Sequence, residues 1–305
     1  MKKCEEDMYL IGIDIGGTNI KYGVFEDNKL IFKDSASTNT SNVVSQLQEI
    51  ITNVIKSYNI SSNTLERIGI GCPGLISKGI VLASANINLT NCNLQKIIAD
   101  KFNCNVIVKN DVDMATLTEI NLGDGRGVDN LVMLTVGTGI GGSIVINGKI
   151  YEGNGAGEFG HMTFVRNGAL CGCGRRGCVE KYLSAIALSS RAKEMIKGKS
   201  TILLDEDIIK ASSIEEALNK NDKIATEIVQ NYADDFSEYL LDICNLLRPD
   251  RILIGGGLSY APVIIDKIAH LCKIKGFGYP NAPQTDIGIA KFGNDAGIYG
   301  VLFAK

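Results

Sequence analysis

Tyr9-Leu-Ile-Gly-Ile-Asp-Ile-Gly-Gly-Thr18 reads as a buried strand of apolar and β-branched residues that ends in a glycine turn carrying Asp14 and Thr18. A second strand over Lys21–Phe25, a turn at Asp27-Asn28 and a third strand over Leu30–Lys33 follow, so the chain opens as an antiparallel run built around a Gly-Gly bend. Leu131-Val-Met-Leu-Thr-Val-Gly-Thr-Gly-Ile-Gly-Gly142 begins the same series again. Its second strand is Ser143–Ile146, its hairpin turn Asn147-Gly148 and its third strand Lys149–Tyr151. Repetition of this kind implies one α/β design used twice. The glycine-rich stretch Gly123-Asp-Gly-Arg-Gly-Val128 is the candidate boundary between the two copies.

Later in the first copy, Asn42–Tyr58 has the three-and-four apolar spacing of an amphipathic helix and Arg67–Gly71 reads as a strand, which Cys72-Pro-Gly-Leu75 breaks into a loop. Asn86-Ile-Asn-Leu-Thr-Asn-Cys-Asn93 is dense in amides, fitting either a solvated loop or a surface that hydrogen-bonds a polyhydroxylated ligand. A helix over Leu94–Phe102, a strand over Val106–Lys109 and a helix from Asp111 to about Leu122 complete the first copy. Asn110-Asp111 therefore stands where a strand meets a helix. It is either an N-cap or a carboxylate base at the carboxyl edge of a sheet. Further on, Lys181–Lys197, Ser213–Asn219 and Asp222–Leu247 are helical by spacing, the last ended by Pro249. Arg251-Ile-Leu-Ile-Gly-Gly-Gly-Leu-Ser259 is another strand entering a glycine turn, with a helix from Pro262, a strand over Asp286–Ala290 and a small-residue helix from Gly293 after it.

The glycine turns at 16–17 and 137–142 suit close approach of backbone to phosphate, or are plain tight turns. Gly137-x-Gly139-x-x-Gly142 spells a dinucleotide-binding pattern, but that motif needs a helix next and Ser-Ile-Val-Ile reads as a strand, so the pattern is rejected. Two such turns from duplicated halves are instead suited to hold a triphosphate between them.

His161, Cys171, Cys173 and Cys178 fall within eighteen residues, flanked by Glu158 and Glu180. One imidazole and three thiolates complete a closed tetrahedral Zn2+ shell, a structural site without an open position. Gly172, Gly174 and Gly177 let the backbone turn tightly enough to bring the sulfurs together. The alternative is a set of ordinary buried thiols beside a core histidine.

Composition sets outer limits. The 305 residues suffice for two domains, 45% hydrophobic content supplies a core, and a net charge of -3 with no long basic run disfavours nucleic acid and anionic membranes as partners. Nine cysteines, an odd number and mostly scattered, argue against a disulfide framework and for a reducing cytoplasm. No signal-peptide core and no membrane-length apolar run is present.

Taken together, Ile13-Asp-Ile-Gly-Gly-Thr18, Asn110-Asp111, Thr135–Gly142, Glu158-Phe-Gly-His161, Cys171-Gly-Cys-Gly-x-x-Gly-Cys-x-Glu180, Gly255-Gly-Gly-Leu-Ser259 and Asp295-Ala-Gly297 resemble the ROK family (repressor, open reading frame, kinase). The motifs stand in the family's order along nearly the whole chain, and the cysteine motif with its upstream Glu-x-Gly-His is specific to it. The resemblance implies a two-domain actin/hexokinase-like (ribonuclease H-like) α/β fold with duplicated βββαβαβα-type halves around a cleft. Residues 1–122 with 293–305 would form the smaller domain, closed by the C-terminal helix, and residues 123–292 the larger one. It implies transfer of the ATP γ-phosphoryl to a sugar hydroxyl, with Mg2+ at the phosphates, Zn2+ in the cysteine site and a homodimeric assembly. Asp111 would be the general base and Asp14 would lie near the magnesium. Gly16, Gly17, Thr18, Thr138 and Gly139 would lie near the phosphates, and Gly256 and Gly257 would face the adenosine. Asn86, Asn110, Asp111, Glu158, His161 and Glu180 would hold the sugar, with His161 giving its other ring nitrogen to zinc. Arg175 and Arg176 read as solvated loop charges.

Two departures bear on substrate choice. Asp113 stands where the family usually has Asn, and the Asn86–Asn93 loop lacks the tryptophan often found there. Glucose is the favoured substrate, with N-acetylmannosamine, fructose, allose and a β-glucoside as alternatives. A sugar-responsive DNA-binding repressor is disfavoured, since about nine residues precede the first strand and a helix-turn-helix needs more. A sugar sensor without turnover is the remaining reading.

Overall fold

The structure is a computed structural model and describes residues 7–84, 87–205 and 208–305. Two compact units emerge. One takes the described residues up to Leu122 with Glu152–Gly155 and Asn294–Lys305, and the other takes Gly123–Tyr151 and Ala156–Gly293.

The first unit opens with β1 (Tyr9–Ile15), β2 (Asn19–Glu26) and β3 (Lys29–Ser37), followed by α1 (Val43–Ser57) and β4 (Leu65–Cys72). A small antiparallel sheet of β5 (Leu75–Ser77), β6 (Ile80–Ala83) and β7 (Thr90–Cys92) comes next. Then α2 (Leu94–Phe102) leads to β8 (Asn105–Asn110), which runs directly into α3 (Asp111–Leu122). The main sheet has the order β3-β2-β1-β4-β8, its first two pairings antiparallel and its last two parallel.

In the second unit β9 (Leu131–Val136), β10 (Ile140–Ile146), β11 (Lys149–Ile150), β12 (Arg251–Gly255) and β13 (Asp286–Ile289) give the order β11-β10-β9-β12-β13 with the same senses of pairing. The duplication expected from the two glycine-turn strands is therefore a duplication of sheet topology. The helices are α4 (Glu180–Leu183), α5 (Ala185–Met195), α6 (Ala211–Asn219), α7 (Lys223–Leu247) and α8 (Pro262–Lys275).

Strand alternation decides what each face of β1 meets. Ile11, Ile13 and Ile15 are fully buried in one core with Leu47, Ile51 and Val54 of α1, whose apolar residues recur at helical spacing. Leu10, Gly12 and Asp14 point the other way. There Leu10 joins Phe25 and Val301 in a second cluster under the chain's last helical residues. Gly12 is what lets that terminal segment lie so close: a Cβ on it would sit 2.1 Å from the carbonyl oxygen of Ile298. Asp14 is thus the polar residue on the face that the terminal segment covers.

Three differences from the sequence reading have plain causes. The single helix expected over Lys181–Lys197 is two, because Ser184 is extended (φ -66°, ψ 162°) and caps α5 by accepting from the Ala187 N–H at 3.1 Å. The strand β5 starts at Leu75, where the sequence reads as loop, and β6 falls where it assigns no element, since three- and four-residue strands are too short to show a period. Arg248, left-handed at φ 45°, closes α7 before Pro249 is reached. Among the described residues no helix is long and apolar enough to cross a membrane.

Gly12→Ala should cost about 2–3 kcal/mol, since its methyl group meets backbone that has no rotamer to yield with. Thermal unfolding should show a melting temperature lower by several degrees; an unchanged value would mean that the terminal segment is not packed on β1 in this way.

Candidate active site

Asp14 and Asp111 come together through the register of the first sheet. Asp14 on β1 pairs with Gly71 on β4, and Cys72, the next residue of β4, pairs with Asn110 at the end of β8. Gly71 has no side chain to fill the gap, and a Cβ there would lie 3.3 Å from the Asp111 Cα. On the other side, a Cβ on Gly297 would lie 2.7 Å from the Asp14 carboxyl carbon.

Asn110 fixes the entry to α3. Its Oδ1 accepts from the N–H groups of Val112 (2.8 Å) and Asp113 (3.3 Å), and its Nδ2 donates to Gly74 O at 3.1 Å. The Asp111 carboxylate accepts from the Val112 N–H at 3.0 Å. Asn110 is therefore the cap and Asp111 the first helical residue.

Electrostatically this is a crowded place for negative charge. Burial, then the charge of Asp14, and to a smaller degree that of Asp113, push the Asp111 carboxyl up to about 7, against the backbone N–H groups that favour its ionised form. Burial also raises Asp14, opposed by the ammonium of Lys21, whose Nζ stands 3.8 Å from Asp14 Oδ2. The Asp14 side chain keeps 20% of its exposure, so solutes reach it. A partly desolvated carboxylate beside a second one suits a hard dication as counter-charge, and carboxylate oxygen is the donor that Mg2+ takes. Beyond Asp14 the turn closes with the Gly16 N–H on Asn19 O (2.9 Å), leaving Gly17 and Thr18 exposed.

In the second unit the corresponding turn is one residue shorter. The Gly137 N–H donates to Gly139 O at 2.9 Å, and β10, a strand, follows the glycines. Glu180 sits on this turn, its Oε2 accepting from the Ile140 N–H at 3.1 Å; a Cβ on Gly139 would fall 2.1 Å from that oxygen. The core holds Glu180 there: Tyr232 of α7, fully buried, donates to Leu183 O at 2.7 Å and so anchors α4. The Ala185 N–H, the first of α5, donates to Gly137 O at 2.9 Å. Gly256 (φ 76°) and Gly257 approach Val136 in the adjoining turn. A cavity of about 630 Å3 opens beside these elements, lined by Thr138, Glu180, Ser184, Ala187, Arg191 and Asp235.

His161, Cys171, Cys173 and Cys178 converge, their four ligand atoms all within 4.8 Å of one another. Cys171 Sγ lies 3.7 Å from His161 Nδ1, and Cys173 Sγ lies 3.6 Å from Cys178 Sγ. A tetrahedron with bonds of about 2.3 Å to sulfur and about 2.0 Å to nitrogen has edges of roughly 3.5–3.8 Å, so the donor set fits zinc. His161 offers Nδ1 to this centre and keeps Nε2, which lies 3.9 Å from Glu158 Oε2.

The backbone around the centre is a short hairpin, with Cys171 N–H on Arg175 O (2.8 Å) and Gly177 N–H on Ala169 O (2.8 Å). Gly177 (φ 78°) is indispensable here, because a Cβ would meet Val165 O at 1.7 Å. Gly174 is also left-handed (φ 85°), whereas Gly172 has no positive φ and no close neighbour, so the tight turning assigned to it is not needed. Arg175, read from sequence as a solvated charge, spans the hairpin. It donates to His161 O at 3.0 Å and Thr163 Oγ1 at 2.9 Å, fixing the backbone of the histidine ligand. No spacing rule reveals such a clasp. Arg176 donates to Gly168 O at 3.3 Å. Asn86 lies outside the described residues.

Elemental analysis of the purified protein should find stoichiometric zinc, and Cys173→Ser should lose the metal and unfold at lower temperature. A metal-free parent protein would contradict the assignment.

Comparison with known proteins covers nearly the whole chain. The ROK family model matches residues 10–304. The glucokinase of Halalkalibacterium halodurans is 32% identical, the match covering 96% of this chain and 94% of that one. An N-acetylmannosamine kinase of Haemophilus influenzae is 31% identical over 97% and 95%. Among solved structures, a ROK family glucokinase from Streptomyces griseus in complex with glucose and AMPPNP superposes with a TM-score of 0.84 at 29% identity, covering 96% of this chain and 97% of that one. With its duplicated sheets, its two glycine turns and its knuckle of one histidine and three cysteines, the chain belongs to the ROK family.

Proposed function

We propose that the protein is an ATP-dependent hexose kinase that transfers the γ-phosphoryl group to a sugar hydroxyl, with the 6-hydroxyl of glucose as the favoured acceptor. The observation that carries this reading is Asp111, a capped, partly desolvated carboxylate whose proton affinity is poised near neutrality. Such a group accepts a hydroxyl proton at physiological pH and is a better base than an ordinary surface aspartate.

Asp111 takes the proton as the sugar oxygen attacks the γ-phosphorus, while Asn110 holds the start of α3 and so the carboxylate's position. The sugar's other hydroxyls are assigned to Asn86, Asn110, Glu158, His161 and Glu180, acceptors and donors of the directional kind that separate one hexose from another. A zinc ion held by the knuckle would orient His161 through Nδ1, leaving Nε2 for the substrate, and would act on binding and not on the reaction. Gly16, Gly17, Thr18, Thr138 and Gly139 are assigned backbone and hydroxyl contacts to the phosphates. Gly256 and Gly257, with the cavity beside Thr138, receive the adenosine. When bound near Asp14, Mg2+ neutralises charge on the phosphoryl oxygens.

A second reading, N-acetylmannosamine as acceptor, is favoured by the comparable identity to the Haemophilus influenzae kinase. Both readings share the same base and differ in the sugar pocket.

A coupled ADP-release assay with Mg-ATP and a panel of hexoses, amino sugars and glycosides tests the proposal. Turnover on glucose is expected. Turnover confined to N-acetylmannosamine would keep the mechanism and change the substrate, and silence on every sugar despite binding would make the protein a sensor. Asp111→Asn should lower kcat by about 10²–10⁴-fold with sugar binding retained; near-normal turnover would remove Asp111 as the base.

A further inference from the structure

Glu152-Gly-Asn-Gly-Ala-Gly157, the stretch that leads from β11 to Glu158, has no role in the reading above. It forms neither helix nor strand, and Gly153, Gly155 and Gly157 all adopt left-handed backbone, at φ 50°, 88° and 104°. A stretch so rich in glycine has much conformational freedom to lose, so whatever holds it decides how well the next residue is placed.

Glu152–Gly155 is held within the first unit. The Glu152 carboxylate pairs with the ammonium of Lys109 near the end of β8. Gly155 packs on β5 so closely that a Cβ on it would sit 2.0 Å from Leu75 Cδ1, and a turn links the two contacts, with the Gly155 N–H on Glu152 O at 3.0 Å. Lys109 is suited to this task. The alternation of β8 sends Val106 and Val108 into the core and Lys109 to the opposite face, where its side chain keeps 17% of its exposure against 61% for Glu152. Burial of its stem fixes the lysine, and the exposed carboxylate comes to it.

An ion pair with one partner so exposed adds little to global stability, so its effect is local. Glu158, to which the kinase reading gives a sugar hydroxyl, follows directly on this stretch. Its other neighbours are fixed already: a Cβ on Gly157 would lie 2.2 Å from Gly142 O, and Phe159 is buried. We propose that Lys109 is a positioning residue for the sugar: by pinning Glu152 it orders the glycine stretch before substrate arrives and holds the Glu158 carboxylate ready to accept from a sugar hydroxyl. The ordering entropy is then met on folding and not on binding, and sugar affinity rises by that difference.

The inference rests on the kinase reading, and the experiment separates the two. Sugar binding is measured by calorimetry, alongside steady-state kinetics, for the parent protein, Lys109→Met, Lys109→Arg and Glu152→Gln, with glucose as the probe, or N-acetylmannosamine if the parent turns over only that sugar. Lys109→Met and Glu152→Gln should each weaken sugar binding and raise the sugar KM by about 3- to 10-fold, toward the lower end of couplings between residues in contact. Their kcat, KM for ATP and melting temperature should stay as in the parent, and Lys109→Arg should keep most of the sugar affinity. Both sugars are uncharged, so added salt should weaken binding to the parent through the ion pair and leave Glu152→Gln unmoved. Unchanged sugar affinity of Glu152→Gln in an active parent background would overturn this proposal alone, as would a loss that Lys109→Arg shares in full or a fall in kcat with the sugar KM unchanged. A parent protein that neither binds nor turns over either sugar would overturn it together with the kinase reading.

Discussion

The repulsion between Asp14 and Asp111 is the constraint on which the first unit's design turns. Two carboxylates end up near each other because β1, β4 and β8 run parallel in that order and finish at the same edge. Isoleucines on the opposite face of β1 lock that arrangement into a dry core. The sheet is costly to distort, so the carboxylates cannot relieve their repulsion by drifting apart. They relieve it by holding a proton more tightly or by gathering cations, and both outcomes are useful to an enzyme that handles a hydroxyl and a triphosphate.

The second unit carries the same strand order without the carboxylates. Thr135 occupies the register place on β9 that Asp14 holds on β1, one residue before the last residue of the strand. What it has instead is the knuckle, a short hairpin on which four potential metal donors converge and which Arg175 ties to the His161 carbonyl. Glu158 and His161 stand before this hairpin and Glu180 just after it, so the geometry of one centre sets the position of several polar side chains. One topology thus places buried carboxylates at its edge in one copy and a cluster of histidine and cysteine donors in the other.

Much of this was legible in the residues. Strands with buried, β-branched runs and long amphipathic helices announced themselves, and Asn110-Asp111 was placed at its strand-to-helix junction by the apolar run before it and by its own helix-starting residues. The metal donors were readable because His and Cys have few other reasons to crowd into eighteen residues. Interactions that depend on distant parts of the chain were not legible. Arg175 looked like any loop arginine until the hairpin brought His161 O within 3.0 Å. Just after the break at Ser184, the Ala185 N–H donates to Gly137 O, far back in the chain, and the pairing of Lys21 with Asp14 depends on hairpin register. Strands as short as β5 and β6 present no period to detect.

The central claim is that Asp111 is a carboxylate poised near neutrality by its surroundings, and the most direct test is a 13C-carboxyl NMR titration of the free protein. A raised carboxyl keeps its proton as the pH climbs past 4 and releases it only near 7, so the base form is present above that value and lost below it. The account predicts an aspartate signal titrating near pH 7 that is absent from Asp111→Asn. A spectrum in which every aspartate has titrated by pH 5 would contradict it.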